Sequence, residues 1–337
     1  MRFALFVLGL LIVVGTAVIG CVTQPFVTPV SSRVPAVEEQ RLRSIVEHLS
    51  ETLHPRSFDH HENLQQAGWY IRDAFLATGA RVTLQEFTVQ GEHYFNVVAS
   101  FGPSDGALTI VGAHYDSNGD AWSEIEPDQA NGLATHTPGA DDNASGVAGL
   151  LELAHLLGAH PPPRPVRLVA YTLEEPPHFQ TEDMGSARHA RSLTAGAEPV
   201  ELMIALEMIG YFNDAANSQR FPIAGLELLY PSTGNFIAIV SRPNDWRESR
   251  ALKSHMRGAS ELPVFSINVS PWVPGVDFSD HLNYWAEGIP AMMVTDTAFY
   301  RNDQYHQLGD VAGRLDYRRM AHVVQGVFAF VTRPAGR

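Results

Sequence analysis

Residues 138–157 read PGADDNASGVAGLLELAHLL, in which two adjacent aspartates, Asp141 and Asp142, stand directly before a strongly apolar run. The apolar run predicts a buried helix, and an Asp or Asn beside small residues is a common N-terminal cap for such a helix. A cap accounts for only one carboxylate. Two neighbouring negative charges at the start of a buried helix therefore indicate a further role for this stretch.

Helix and strand patterns alternate on both sides of it. Residues 37–53 and 61–80 have apolar side chains at helical spacing, and the last helix is predicted from Leu315 to Val331. Strand-like segments lie at residues 81–89, 93–101, 107–117, 166–175, 201–210, 264–269 and 291–296. Continuous apolar strands separated by helices are typical of a parallel sheet covered on both faces. The sequence therefore predicts one α/β domain: a mixed, mostly parallel central sheet between two helical layers.

Composition and charge narrow the classes of partner. The chain has 337 residues, 45% of them hydrophobic, which is enough for a sizeable core. It carries 23 basic and 37 acidic residues, a formal net charge of −14, which argues against nucleic acid or an anionic membrane surface as a partner. No partner protein is indicated. The single cysteine, Cys21, excludes an intramolecular disulfide and a cysteine-rich zinc site.

The N-terminus has the pattern of an export signal. Arg2 precedes 18 uncharged, mostly apolar residues, and the chain then reads VIGC up to Cys21. This end resembles a bacterial lipobox, which implies cleavage after residue 20 and a lipidated Cys21; a retained signal anchor is the alternative. We expect a signal at 1–20, a Pro- and Ser-rich linker at 21–36 and a folded domain at 37–337. The protein would then be exported and tethered at the cell envelope, facing the periplasm.

Acidic and imidazole side chains follow the predicted strands at the point where each strand ends. They are His114, Asp116, Glu174, Glu175, Glu207 and His306, and Asp141 and Asp142 lie in a loop of the same half. Each of them alone has an ordinary structural interpretation. Loops at the carboxyl ends of parallel strands meet at one rim, where clustered carboxylates would repel one another without a cation. Asp, Glu and His without thiolates form a ligand set suited to zinc or a similar divalent ion.

The pattern resembles the co-catalytic dizinc exopeptidases of the bacterial leucyl aminopeptidase type, a family that also includes glutamate carboxypeptidases and glutaminyl cyclases. The resemblance extends from about residue 90 to 325 and rests on seven motifs in family order. They read GAHYDS, PGADDNASG, TLEEPP, MGS, LEMIGY, SDH and YHQLGD. Each motif alone is weak, but the ordered set is specific.

The resemblance implies two zinc ions per chain, bridged by Asp141. His114 and Glu207 would complete one ion, and Glu175 and His306 the other, with a water between the ions. Many relatives carry Asp where this chain has Glu207. We therefore expect both ions to bind, with the alternative that the second one is held less tightly.

The resemblance also assigns two residues that do not bind metal. Asp116 would accept the other ring N–H of the first histidine ligand and fix its orientation. Glu174 would be the general base that takes the proton of the water and passes it to the leaving amine. A cis peptide between Asp141 and Asp142 is also implied.

These assignments predict a zinc-dependent aminopeptidase that hydrolyses N-terminal residues from peptides. A glutaminyl cyclase is the second reading, although the intact ADDNASG disfavours it. A carboxypeptidase would need a cationic residue near His306, for which Arg301 is the candidate. A non-catalytic binding module is disfavoured because all five ligands and the base are present.

Specificity residues are weaker predictions. The substrate amine would be received by Glu182, Asp183 or the acidic insertion at 122–129, for all of which a solvated loop is the favoured interpretation. Tyr300 and Tyr305 are candidate donors to the oxyanion, and packing is an equally good account of each. His281 would either bind substrate or form part of the pocket wall.

Overall fold

The computed structural model describes residues 19–119 and 136–334. Seven α-helices are labelled here as α1 Glu39–Glu47, α2 His61–Ala77, α3 Gly146–Ala159, α4 Gly185–Ala195, α5 Trp246–Ala259, α6 His281–Ala286 and α7 Tyr317–Val331. The eight strands are β1 Arg81–Val89, β2 Glu92–Phe101, β3 Leu108–His114, β4 Val166–Tyr171, β5 Val200–Glu207, β6 Ile237–Ser241, β7 Val264–Asn268 and β8 Ala291–Thr295.

All eight strands form one mixed sheet in the order β1-β2-β4-β3-β5-β8-β6-β7. The four central strands, β4, β3, β5 and β8, are parallel neighbours. Strand β2 pairs antiparallel with β1 and with β4, and β6 pairs antiparallel with β8 but parallel with β7. The predicted mostly parallel, mixed sheet is confirmed. Because the central four strands run the same way, their carboxyl ends share one rim.

Both faces of the sheet are covered by apolar packing. In β3, Val111 and Ala113 belong to a large core shared with helices α1, α2, α3 and α7, whereas Leu108 and Ile110 belong to a second core. The second core includes residues of α4 and α6 on the opposite face. Side chains of consecutive strand residues point to opposite faces, so apolar residues at every position require both faces to be buried. The predicted helical layers on both faces are therefore present.

Strand β6 was not predicted from the sequence, and α4, α5 and α6 were expected only as helices between strands, without bounds. The β6 segment has only five residues and lies among turns, so its apolar run is too short to stand out. The predicted helix at 37–53 is α1 followed by a π-helical turn at His48–Thr52. The last helix begins at Tyr317 with Asp316 as its cap, two residues after the predicted start.

The segment at 21–36, predicted to be a linker, packs against the domain, with Thr23, Gln24 and Val27 buried. The buried Lys253 of α5 donates to the backbone carbonyls of Thr23 and Gln24, and Asn268 donates to those of Cys21 and Val22. Residues 1–18, which hold most of the predicted signal, are outside the described residues. Among residues 19–119 and 136–334, no helix has the length and apolar character needed to cross a membrane.

Candidate metal centre

Four strand ends and one turn bring six ionisable side chains together at the carboxyl rim of the sheet. Strand β3 ends at His114, β5 ends at Glu207, and the loops after β4 and β8 carry Glu174, Glu175 and His306. All of these carboxylates and the ring of His114 are buried. The sixth group comes from the turn that precedes α3, the stretch with two adjacent aspartates.

Asp142 lies between the two histidines. Its Oδ1 is 3.4 Å from Nε2 of His114, and its Oδ2 is 3.2 Å from Nε2 of His306. Nε2 of His306 is also 3.2 Å from Oε2 of Glu175, and Nε2 of His114 is 3.4 Å from Oε2 of Glu207. The arrangement has two halves, each with one histidine and one glutamate, and the two oxygens of Asp142 each face one half.

The prediction that Asp141 occupies this position is wrong. Asp141 is fully buried, with Oδ1 accepting from the backbone N–H of Gly210 at 3.0 Å and Oδ2 from the side chain of Asn302 at 2.9 Å. Asp142 has extended backbone angles (φ −103°, ψ 91°). The backbone leaves helical angles at Asp142, so its side chain diverges from that of Asp141 and only Asp142 faces the histidines. The sequence does not reveal which of the two does so.

Asp310, at the end of the YHQLGD motif, holds the backbone of this turn, and sequence reasoning missed it. Its two carboxylate oxygens accept from the backbone N–H groups of Asp141 and Asp142, both at 3.0 Å. Asn143 bonds the carbonyl of Leu206 and accepts from the N–H of Met208, which fastens the turn to the end of β5. The cis peptide lies between Asp142 and Asn143, one bond after the predicted position.

Asp116 holds the Glu174–Glu175 pair in place. Its two carboxylate oxygens accept from the backbone N–H groups of Glu174 at 3.2 Å and Glu175 at 2.9 Å. Leu173, directly before the pair, has a positive φ of 58°, which an apolar side chain seldom adopts. The chain therefore turns sharply where β4 leaves the sheet, and both glutamates point into the centre.

Asp116 also lies beside Nδ1 of His114, but the group nearest to this nitrogen is its backbone carbonyl and not the carboxylate that was predicted to accept from it. The backbone carbonyl of Asp116 is 3.2 Å from this nitrogen, and its carboxylate Oδ1 is 3.5 Å away. A proton on Nδ1 leaves Nε2 unprotonated and directed at Asp142 and Glu207. This is the tautomer that a metal-binding histidine requires.

The SDH motif at 279–281 supports the Glu207 side of the centre. Ser279 donates to Oε2 of Glu207 at 2.7 Å, a contact that sequence reasoning missed. The adjacent Asp280 is buried, and burial raises its pKa to about 7. His281 is fully buried, with Nε2 donating to the carbonyl of Val276 and its ring against Trp285. His281 is thus a buried structural residue rather than a group open to substrate.

On the opposite side, the ring of Tyr305 stacks on that of His306 with centroids 3.8 Å apart. Asn118 lies 3.2 Å from Nδ1 of His306 and 3.4 Å from Oε2 of Glu175. Burial raises the pKa of the Tyr305 phenol well above its usual value, and the nearby carboxylates of Asp142 and Glu175 add to the effect. Tyr305 therefore keeps its proton at neutral pH and is available as a donor.

The closely packed carboxylates of the centre favour a bound cation. Burial raises the pKa of Glu174 well above the usual value and also raises those of Glu175 and Glu207. Burial opposes the charged form of His114, yet the carboxylates of Glu174 and Glu207 outweigh it and raise its pKa. These shifts describe anions packed closely together, with the two histidines and the nearby guanidinium of Arg56 as the compensating positive groups.

The donor set fits zinc. Among the described residues, Nε2 of His114, Nε2 of His306 and Oε1 of Glu175 are buried polar atoms without a hydrogen-bond partner. One ligand atom each from His114, Asp142 and Glu175 lies within 4.8 Å of the others. Imidazole and carboxylate without thiolate are common zinc ligands, and unpaired lone pairs directed at one point are what a metal ion would satisfy.

An apolar pocket opens beside the centre. It measures about 880 Å³, including its open mouth, and Glu207 and Tyr305 are at the end nearest the centre. Its interior is lined by residues of β6, β7, β8 and the following loops, among them Phe236, Ala238, Val240, Phe265, Met293 and Phe299. The pocket is suited to an apolar side chain, since burial of such a side chain contributes about 1.5–3 kcal/mol.

Other predicted specificity residues lie away from the centre or are already engaged. Glu182 and Asp183 pair with Arg191 and Arg188, respectively, in agreement with the solvated-loop interpretation. Arg301 is buried and donates to Gln219 and to the carbonyls of Tyr211 and Phe236. Tyr300 lines the pocket and donates to the carbonyl of Pro274. The acidic insertion at 122–129 is outside the described residues.

Comparisons with known proteins agree with this geometry. The sequence profile described as Peptidase family M28 matches residues 96–331. A protein of Escherichia coli (strain K12), described as "Uncharacterized protein YfbL", is 50% identical over 308 residues, covering 91% of this chain and 92% of that one. A protein of Arthroderma otae, described as "Probable leucine aminopeptidase", is 24% identical over 274 residues, covering 80% of this chain and 63% of that protein.

The fold has solved relatives. The glutaminyl cyclase of Bacteroides thetaiotaomicron, crystallised with N-acetylhistamine, superposes with a TM-score of 0.67 at 17% identity, covering 90% of this chain and all of that one. Identity this low establishes the fold and leaves the reaction open. The family match, in contrast, covers more than two thirds of the chain and all the residues of the centre described above.

Proposed function

The chain belongs to peptidase family M28, and from this premise we propose that it is a zinc-dependent aminopeptidase that removes apolar N-terminal residues from peptides. The observation that carries the proposal is the position of Asp142, whose two oxygens each face one half of a paired His and Glu set. Two similar half-sites that share one carboxylate are suited to two ions. The number of ions per chain is part of the proposal.

The ligands we assign are His114 and Glu207 for one ion, Glu175 and His306 for the other, and Asp142 for both. When bound, zinc supplies Lewis acidity to a substrate carbonyl and to a water molecule. The chain holds these side chains before any ion arrives: Asp116 and Ser279 orient His114 and Glu207, and Asn118 lies against both ligands of the second ion.

Glu174 is the proposed proton carrier. Its Oε2 is 3.8 Å from Nε2 of His114, so it lies beside the centre while leaving the bridging position to Asp142. Its raised pKa, which results first from burial, suits a group that takes a proton from the attacking water and returns it to the leaving amine near neutral pH.

Tyr305 is the proposed donor to the oxygen of the scissile carbonyl. It lines the pocket beside Glu207, stacks on His306 and keeps its phenolic proton. A preorganised donor directed at a developing negative charge lowers the barrier because the charge is stabilised without reorganisation of solvent. Tyr300, whose hydroxyl already donates to Pro274, is assigned to packing.

The pocket supports the apolar preference. Its inner wall is made of aromatic and aliphatic side chains from the far end of the sheet. A carboxypeptidase would need a free cationic residue for the substrate carboxylate. Arg301, the candidate for this role, is buried and donates to Gln219 and two backbone carbonyls. The glutaminyl cyclase reading is kept as the second candidate because a cyclase shares the fold.

The cellular location is also a proposal. We infer that Cys21 is the lipidated N-terminus of an exported protein tethered at the cell envelope, on the strength of the apolar residues 3–20 and the VIGC sequence. Cys21 is exposed, while its carbonyl and that of Val22 are held by Asn268. Mass spectrometry of the mature N-terminus tests the proposal: a diacylated Cys21 supports it, and an intact Met1 or an unmodified Cys21 contradicts it.

The function is tested by turnover of three substrate sets on the zinc-loaded protein. The sets are aminoacyl anilides, peptides blocked at either terminus, and peptides with N-terminal glutamine assayed for cyclisation. We expect cleavage of leucyl and phenylalanyl anilides and none of N-terminally blocked peptides. Cyclisation without hydrolysis would establish the second candidate, and cleavage that needs a free C-terminus would establish a carboxypeptidase.

A further inference from the structure

A second cluster of ionisable side chains lies outside the candidate centre. Asp59 and His60 belong to the turn before α2, and His136 precedes the stretch with the two adjacent aspartates. Oδ2 of Asp59 is 2.8 Å from Nε2 of His136, and its Oδ1 is 3.5 Å from Nδ1 of His60. The two imidazole rings meet edge to face with centroids 4.2 Å apart. One carboxylate is therefore in contact with two imidazoles.

The spacing of these atoms suits a divalent metal ion. One ligand atom from each of the three residues lies within 4.8 Å of the others. Tetrahedral zinc with bonds of about 2.0–2.1 Å places its ligand atoms roughly 3.3–3.4 Å apart. Two imidazoles and one carboxylate form a set that first-row metals such as zinc accept, with a fourth position left for water.

Two of the three side chains of the cluster are partly open to solvent. The side chains of Asp59 and His60 are 30% and 42% exposed, whereas that of His136 is 8% exposed. The cluster shares no residue with the candidate centre. The connection between the two is the backbone at 117–119: Asn118 contacts Glu175 and accepts from the N–H of Thr137.

The chain already joins these segments at a neighbouring point. Arg56 is fully buried and donates to the carbonyls of Tyr115, Pro138 and Gly139. Its guanidinium thus ties the turn at 56–60 to the end of β3 and to the segment that leads to the candidate centre. An ion held by Asp59, His60 and His136 would join the same two segments at their solvent side.

We propose that Asp59, His60 and His136 form a further zinc site, separate from the candidate metal centre, which links the turn before α2 to the segment that carries Asp142. A closed link between two segments stabilises the folded state by mass action, because the unfolded chain does not hold the three ligands together. With three protein ligands, two of them on partly exposed side chains, the site is expected to bind zinc more weakly than a buried centre.

The test is zinc content as a function of free zinc for the full chain and for two variants. In His60→Gln/His136→Gln the site loses both imidazoles, whereas His61→Gln removes an adjacent imidazole that faces His93 and Glu92 instead. We expect the double variant to bind one zinc fewer per chain than the wild type at saturating free zinc. The His61→Gln control is expected to match the wild type.

A third variant and a second measurement distinguish loss of the zinc site from misfolding of the protein. Asp59→Asn keeps the shape of the side chain, and its far- and near-ultraviolet circular dichroism is expected to match that of the wild type. The rise in Tm on going from limiting to saturating zinc should be smaller in this variant than in His61→Gln. Equal zinc content and equal Tm shifts in all variants would mean that the cluster is only a hydrogen-bonded contact, and would overturn the proposal. Neither readout depends on peptidase activity.

Discussion

Asp141 and Asp142 are neighbours in the chain, yet their carboxylates face opposite sides of the turn. Asp142 faces the two histidines of the candidate centre, and Asp141 faces the interior, where it accepts from Gly210 and Asn302. Burial raises the pKa of Asp141 well above its usual value, and the nearby Asp296 adds to the effect. One aspartate is therefore directed at the candidate metal centre, and the other is a buried carboxyl group that supports the turn.

Glu174→Gln is expected to lower kcat by about 10²–10⁴-fold while zinc content stays unchanged, because the amide cannot accept the proton of the attacking water. The measurement is anilide turnover together with metal analysis of the same preparation. Glu182→Gln, in an exposed side chain paired with Arg191, is the matched control and should have wild-type kcat. Turnover within threefold of wild type in Glu174→Gln would refute the assignment of the base.

Ala238→Leu is expected to change substrate preference rather than the chemistry. Ala238 lines the pocket on β6, so three added carbons occupy space that a large apolar side chain would use. Each methylene of mismatch in an apolar pocket is worth about 1–3 kcal/mol, so kcat/KM for phenylalanyl substrates should fall by at least about 10-fold. Alanyl substrates serve as the internal control. An equal fall in kcat/KM for both substrates would mean that the substrate side chain does not bind in this pocket.

Arg56→Met is expected to destabilise the fold by at least about 3 kcal/mol. Arg56 donates to four buried or partly buried carbonyls, those of Leu49, Tyr115, Pro138 and Gly139, and methionine leaves them without this donor. Urea unfolding of the variant measures the loss. Arg72→Met is the control, since Arg72 lies on the exposed side of α2 and pairs with Asp73. This substitution should change the free energy of unfolding by less than about 0.5 kcal/mol. A similarly small change in Arg56→Met would contradict the structural role of this guanidinium.

The sequence predicts the sheet and its functional rim well for a physical reason. His114, Glu175 and Glu207 each follow an apolar strand, and parallel strands deliver their carboxyl ends to one side regardless of the details of packing. The same argument predicts that Glu174 and Asp116 lie at this rim. Strand β6 is not predicted by this argument, because a segment of five residues between turns shows little periodicity.

What the sequence does not predict depends on backbone direction and on distant partners. Two identical neighbours such as Asp141 and Asp142 give no sign of which side chain faces the ligands. Asp310 supports both through hydrogen bonds across a separation of more than 160 residues, so no local pattern marks it. Ser279 hydrogen-bonds to Glu207 across a separation of 72 residues. Such contacts are determined by tertiary packing rather than by local periodicity.

The central claim is that Asp142, and not Asp141, joins the two halves of the centre. Zinc content of Asp142→Asn and Asp141→Asn, measured side by side on folded protein, tests it most directly. Asn resembles a neutral carboxyl in shape, and Asp141 is a buried acid with a raised pKa. We therefore predict that Asp141→Asn keeps the wild-type zinc content and that Asp142→Asn loses at least one zinc per chain. Loss of zinc in Asp141→Asn together with wild-type content in Asp142→Asn would contradict the account.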